Sequence, residues 1–108
     1  MMVSQLQDPY ILSKNIVKAK QIGAPIVALE STVITHGLPR PENLKLAREM
    51  EAVVGNHGAA PATIAFINGK IHIGLSDDEL ENLAMGENTR KISLRDFGIA
   101  LAGGMSGG

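Results

Sequence analysis

The run Ile26-Val27-Ala28-Leu29, entered through Pro25 and closed by Glu30, constrains this chain more than any other stretch. It holds no polar residue, so an element built on it is apolar all round. Its shortness, its β-branched pair and the flanking proline favour a strand over a helix. A strand apolar on both faces belongs in a parallel sheet covered by helices, which makes this an α/β protein with a buried strand from Pro25 to Leu29. In open α/β sheets, ligands bind outside the carboxyl ends of the strands. Glu30, Ser31, Thr32 and His36 follow at that end, before Pro39 and Pro41 break the chain.

The rest of the pattern supplies the cover. Residues 1–9 are polar and are expected to fray. A helix is predicted from Ser13, with Ile16, Val17 and Lys20 at helical spacing and Gly23 as its stop signal. Pro41 suits the first position of a second helix, Glu42 to about Val54, because its missing N–H is not needed there. Leu44, Ala47, Met50, Val53 and Val54 form its apolar stripe, and Gly55 and Gly58 are expected to end it. Thr63 to Ile67 and Lys70 to Leu75 read as two strands. Asn68-Gly69 joins them as a two-residue β-hairpin turn, because both residues tolerate positive φ. His72 alternates with Ile71 and Ile73, which places it on the hairpin's exposed face. Ser76 and Glu79 spell a capping box ahead of a helix that stops near Met85-Gly86. Thr89 to Ser93 reads as a further strand, and Ser93 as the cap of a helix through Leu94, Phe97 and Leu101.

Composition excludes several function classes. The 108 residues are enough for one domain, and 44% hydrophobic with 19% charged residues is the balance of a folded protein. The net charge is −1 and the aromatic residues are Tyr10, Phe66 and Phe97. With neither a basic stripe nor stacking platforms, polymeric nucleic acid is an unsuitable partner. The absence of cysteine removes disulfides and thiolate metal sites and fits a reducing compartment. Met1 to Pro9 lacks the features of a signal peptide, and no apolar run reaches the roughly 18 residues that span a bilayer. The expected location is cytoplasmic, with no membrane contact.

Two readings of Glu30 stand side by side. Buried at a strand end, it would have its pKa raised and could donate a proton near neutrality. Otherwise it is a structural carboxylate, paired with a lysine or capping a helix. His36 is either a substrate-orienting group or a hydrogen-bonded turn residue. Glu30, His36, His57 and His72 show no metal-ligand spacing. Arg90, Lys91 and Arg95 form a cluster that can receive a phosphate or simply face water. The ending Gly103-Gly104-Met105-Ser106-Gly107-Gly108 is either an anion cradle or a glycine-rich turn, and it lacks the lysine of a Walker loop.

Together these stretches resemble a known family. Val27 to Pro39, with its Leu29-Glu30-Ser31-Thr32 core, is similar to the N-terminal signature of pseudouridine-5′-phosphate glycosidases. Gly58 to Ala65 with the Gly69–Leu75 hairpin, Lys91-Ile92-Ser93-Leu94-Arg95-Asp96, and Gly103 to Gly107 resemble the next three blocks, in family order. The resemblance implies the N-terminal part of an α/β/α sandwich. It also implies an enzyme that reversibly cleaves the C–C glycosidic bond of pseudouridine 5′-phosphate to uracil and ribose 5-phosphate. Glu30 falls on the family's proton donor and Lys91 on a substrate-binding lysine. A divalent metal, typically manganese, and a homotrimer are implied as well. The metal-binding aspartate and the lysine that forms a Schiff base lie beyond the fourth block. Leu94 stands where the family usually has arginine, and Gly55 where its helix usually continues. Residues 1–108 therefore read as an incomplete N-terminal segment, about a third, of one such domain, and as inactive alone. The alternatives are a non-catalytic remnant that binds a phosphorylated sugar or a full-length subunit, and an unrelated small α/β module.

Overall fold

The computed structural model describes residues 9–86, 89–90 and 97–108. Its elements are β1 (Tyr10–Leu12), α1 (Lys14–Ile22), β2 (Ile26–Glu30), a π-helical turn (Val33–Gly37), α2 (Glu42–Asn56), β3 (Ala60–Ile67), β4 (Lys70–Ile73), α3 (Asp77–Met85), β5 (Thr89–Arg90), α4 (Phe97–Ala102) and β6 (Ser106–Gly107). The strands form one mixed sheet in the order β1-β4-β3-β6-β5, with β2 also on β3. β2 runs parallel to β3 from Ile26 beside Ala60 to Glu30 beside Ile64. β4 runs antiparallel to β3, and Ile64 and Phe66 pair with Ile73 and Ile71. β6 pairs with β3 at Phe66 alone. Both β2 and β6 therefore lie along the β3 edge that faces away from β4, one after the other.

The sheet separates two apolar clusters, as the α/β/α reading requires. On one face Ala65 packs with Ile34, Ala47, Leu80, Leu83 and Ala84 from the π-helical turn, α2 and α3. On the other, Phe66 and Ile71 pack with Ala100 of α4. Residues adjacent along β3 serve opposite faces because a strand alternates its side chains.

Local chemistry sets the boundaries. The Ser13 hydroxyl accepts from the Ile16 N–H at the start of α1. Gly23, at φ +70°, ends that helix by donating to the carbonyls of Ala19 and Lys20. The capping box of α3 is complete: Glu79 N–H donates to Ser76 Oγ, and Ser76 N–H to Glu79 Oε1. Asn68 and Gly69 take φ of 49° and 78°, the hairpin turn that their sequence predicts. That turn is held from outside, since the Asn68 N–H donates to Ser106 Oγ and the Gly69 N–H to the Met105 carbonyl.

Several expectations are corrected. β2 is not buried: Ile26, Val27, Ala28 and Glu30 are all exposed. Among the described residues it pairs with β3 only, and the clustered helices pack over β3 and β4 instead. His72 is buried, at 8% exposure, because its face of the hairpin is covered by helices; its Nδ1 lies 3.2 Å from Glu79 Oε2. α2 continues through Gly55 to Asn56, and Val53 on its stripe is exposed. Pro41 caps α2 instead of opening it. β3 begins at Ala60, with Pro61 where β4 does not reach, the kind of position that tolerates proline in a sheet. A strand, β1, occupies Tyr10–Leu12 parallel to β4, just beyond the stretch expected to fray. The glycine-rich ending is neither a free cradle nor a loop alone, for β6 joins the sheet there. Among the described residues no helix is long and apolar enough to cross a membrane.

Candidate functional site

Where β2 leaves the edge of β3 and before β6 takes it up, the sheet opens into a cleft of about 390 Å³. Glu30, Ser31 and Thr32 line it together with Ile64, Phe66 and Gly108. The carboxyl end of a strand is the place where the sequence predicts ligand chemistry.

The local fold fixes the backbone there and leaves the acid free. Ser31 is 1% exposed, and its hydroxyl donates to the Ile64 carbonyl at 2.5 Å, so the link to β3 extends one residue beyond Glu30. Its own carbonyl accepts from the N–H groups of Ile34 and Thr35, which starts the π-helical turn. Gly108 closes the other side. A Cβ on it would stand 2.2 Å from Ser31 Oγ, so the approach of the two backbones requires glycine.

A residue that sequence reasoning missed holds the turn from behind. Asn43, in the first turn of α2, is 2% exposed. Its Nδ2 donates to the Ile34 carbonyl at 2.8 Å and to the Ala84 carbonyl at 2.7 Å. One amide thus ties the segment after Glu30 to the end of α3, and both of its N–H bonds are used. The signal was present in the sequence: Asn43 stands one helical turn before Ala47, on the side that α2 buries.

The other candidates fall as follows. Glu30 is exposed at the cleft, so the desolvation expected of it is not supplied by the described residues. His36 is exposed in the π-helical turn. His57 is exposed too, and its Nδ1 lies 2.8 Å from the Val53 carbonyl. His72 lies with Glu79 on the helix-covered face, outside the cleft lining. Glu51 on α2 accepts from Thr63 Oγ1 at 2.6 Å, a structural bond between helix and sheet. Lys91, Leu94 and Arg95 lie outside the described residues, while Arg90 is in β5 beside Gly107 of β6. Among the described residues no group of three or more His, Cys, Asp or Glu side chains can hold a metal ion. These residues do not fit a resident divalent metal. The cleft combines one exposed carboxylate with an apolar wall.

The family described as indigoidine synthase A like protein matches residues 15–108. The pseudouridine-5′-phosphate glycosidase 1 of Rhizobium johnstonii is 52% identical over 94 residues, which is 87% of this chain and 30% of that protein. The pseudouridine-5′-phosphate glycosidase of Lysinibacillus sphaericus is 51% identical over 97 residues, 90% of this chain and 32% of its own. Among solved structures, the prealnumycin C-glycosynthase in complex with ribulose 5-phosphate is similar at a TM-score of 0.77 and 38% identity. The match covers 94% of this chain and 32% of that one. An indigoidine synthase A-like protein from Thermotoga maritima gives 0.73 and 29%, covering 94% and 34%. The chain spans about a third of the length of the curated relatives it matches.

Proposed function

The chain belongs to the indigoidine synthase A-like family, and from that premise we propose that it carries the proton-donor part of a pseudouridine-5′-phosphate glycosidase site. The observation that carries this reading is Glu30 at the carboxyl end of β2, lining an apolar-walled cleft. A C-glycoside has no leaving oxygen to protonate, so the two-carboxylate logic of ordinary glycoside hydrolysis does not apply. What the reaction needs is an acid that opens the ribose ring and then protonates the departing uracil carbon. Glu30 fills that role, and Ser31 and Asn43 hold the backbone from which it projects. Ile64 and Phe66 shield the bond being cleaved from water.

Lys91 is the second substrate contact in this reading and takes the phosphate end. Support comes from chain continuity. Arg90, which precedes it, pairs with Gly107, and Gly108 next to that residue lines the Glu30 cleft. The reading extends to a divalent metal, manganese, whose ligands fall beyond the matched blocks, to a homotrimer and to a cytoplasmic location. In this reading the 108-residue chain alone is inactive, because the family resemblance puts the Schiff-base lysine and the metal-binding aspartate beyond the fourth block. The test is uracil release from pseudouridine 5′-phosphate with manganese: none is expected from the chain by itself, and sustained turnover would overturn this.

One observation favours a second reading, a non-catalytic phosphosugar-binding module: the similar glycosynthase is described in complex with ribulose 5-phosphate. Calorimetry with ribose 5-phosphate decides it. Heat at millimolar ligand supports the binding module, and its absence removes that alternative.

A further inference from the structure

Glu30, Ser31 and Thr32 bring the polar side chains to the cleft lining, and the rest of the described wall is apolar side chains and Gly108. The Ser31 hydroxyl is already committed, because it donates to the Ile64 carbonyl and its residue is buried. Glu30 and Thr32 are left as the polar groups of this wall that a molecule in the cleft can use.

The Thr32 hydroxyl is free for a local reason. Thr32 opens the π-helical turn with helical backbone angles, φ −59° and ψ −38°. A capping hydroxyl needs an extended backbone, and Thr32 accordingly makes no side-chain cap bond. On a helical backbone, threonine can instead bond back to a carbonyl three or four residues earlier. Thr35 does so, reaching the Thr32 carbonyl at 3.4 Å and the Ser31 carbonyl at 3.5 Å. The residues three and four before Thr32 are Leu29 and Ala28, which belong to β2 and follow an extended path. Among the described residues no polar side-chain atom is both buried and unpartnered, so the Thr32 hydroxyl opens to solvent from a half-buried residue.

The geometry points to a substrate contact, and the inference rests on the pseudouridine-5′-phosphate glycosidase reading of this cleft. We propose that Thr32 is a substrate-binding residue whose hydroxyl holds a ribose hydroxyl while Glu30 delivers its proton to the same sugar. A hydroxyl both donates and accepts, which suits a partner of the same kind. Thr32 follows Glu30 by two residues on one wall of a cleft of about 390 Å³, so a single sugar can meet both. Thr32 then contributes to specificity, because an analogue lacking the bonded hydroxyl leaves the threonine unpaired.

The test uses a chimera in which residues 15–108 replace the matching third of the Lysinibacillus sphaericus pseudouridine-5′-phosphate glycosidase. Thr32→Val keeps the shape and removes the hydroxyl. It is expected to raise KM for pseudouridine 5′-phosphate about 10-fold with kcat little changed, and Thr32→Ser to restore KM. The parent chimera should lose a similar factor on either the 2′-deoxy or the 3′-deoxy substrate, and on that substrate Thr32→Val should cost nothing more. A threonine that only shapes the turn would lower kcat on all three substrates alike. An unchanged KM in Thr32→Val, a loss that Thr32→Ser fails to restore, or equal losses on all three substrates would overturn the proposal. Circular dichroism verifies folding, and Thr32→Ala replaces the valine variant if that one unfolds.

Calorimetry with ribose 5-phosphate on the same chimeras separates the contact from the catalytic reading. Binding weakened about 10-fold by Thr32→Val in a chimera without turnover upholds the contact and counts against the catalytic reading. Turnover that ignores Thr32 removes the contact alone, and a chimera that neither binds nor turns over removes both.

Discussion

Strand β2 and the β3–β4 hairpin share one sheet and a similar apolar composition. Ile26 and Val27 of β2 are 38% and 40% exposed, whereas Ala65, Phe66 and Ile71 of the hairpin lie at 5% or below. Expectation ran the other way, with β2 covered on both faces and the hairpin half open. The difference lies in the neighbours of each segment. The hairpin closes through a two-residue turn, and that turn is in turn gripped by Met105 and Ser106. α2 and α3 cover one of its faces and α4 the other. β2 has β3 on one edge and, among the described residues, no second strand. Glu30 thus sits on a largely exposed strand, while the hydrogen bonds of Ser31 and Asn43 anchor the segment that follows it.

The largest effect separating the two regions is expected from truncating their apolar side chains. Phe66→Ala should cost about 3–5 kcal/mol in urea unfolding, because it opens a cavity beneath Ala100. Val27→Ala should cost less than about 1 kcal/mol, since that side chain is already in water. Similar losses at both positions would break the comparison. Next comes Asn43→Ala, which leaves the carbonyls of Ile34 and Ala84 without their donor and should cost about 2–4 kcal/mol. In the same variant, hydrogen exchange should accelerate across residues 31–37 more than in the hairpin, and uniform acceleration would count against the anchoring role.

A smaller loss, about 1–3 kcal/mol, is expected of Gly69→Ala, where a positive φ coincides with a Cβ position 2.7 Å from Gly104 Cα. Gly58→Ala also has positive φ but opens onto free space, so it should be the milder of the two in thermal unfolding. The smallest change has the opposite sign. Gly55 is helical and nothing lies within 4 Å of its Cβ position, so Gly55→Ala should stabilise the chain by about 0.5–1 kcal/mol.

What was legible in the sequence is what short-range chemistry decides. Ser13, Gly23, Ser76 with Glu79, and Asn68-Gly69 act within a few residues, and each sits where its side chain or backbone freedom predicts. The position of Glu30 at a strand end was legible for the same reason. Its exposure was not, because an apolar run records what a strand can tolerate and leaves open which elements arrive to cover it. His72 was misplaced for a related reason: alternation assigns it to a face, but only the packing of α3 makes that face an interior one. Asn43 escaped because a polar residue in a helix reads as solvated until its partners, nine and 41 residues away, are known. Lys91 lies outside the described residues, and the substrate contact proposed for it rests on its motif, with the pairing of Arg90 to Gly107 as support.

The central claim is that Glu30 supplies the proton in a C-glycosidase site, and a chimera tests it most directly. Residues 15–108 would replace the matching third of the Lysinibacillus sphaericus pseudouridine-5′-phosphate glycosidase, with uracil release followed from pseudouridine 5′-phosphate. The chimera is predicted to turn over, and Glu30→Gln within it to lower kcat by about 100-fold or more. A folded chimera that releases no uracil, or one whose rate ignores Glu30→Gln, would contradict the claim.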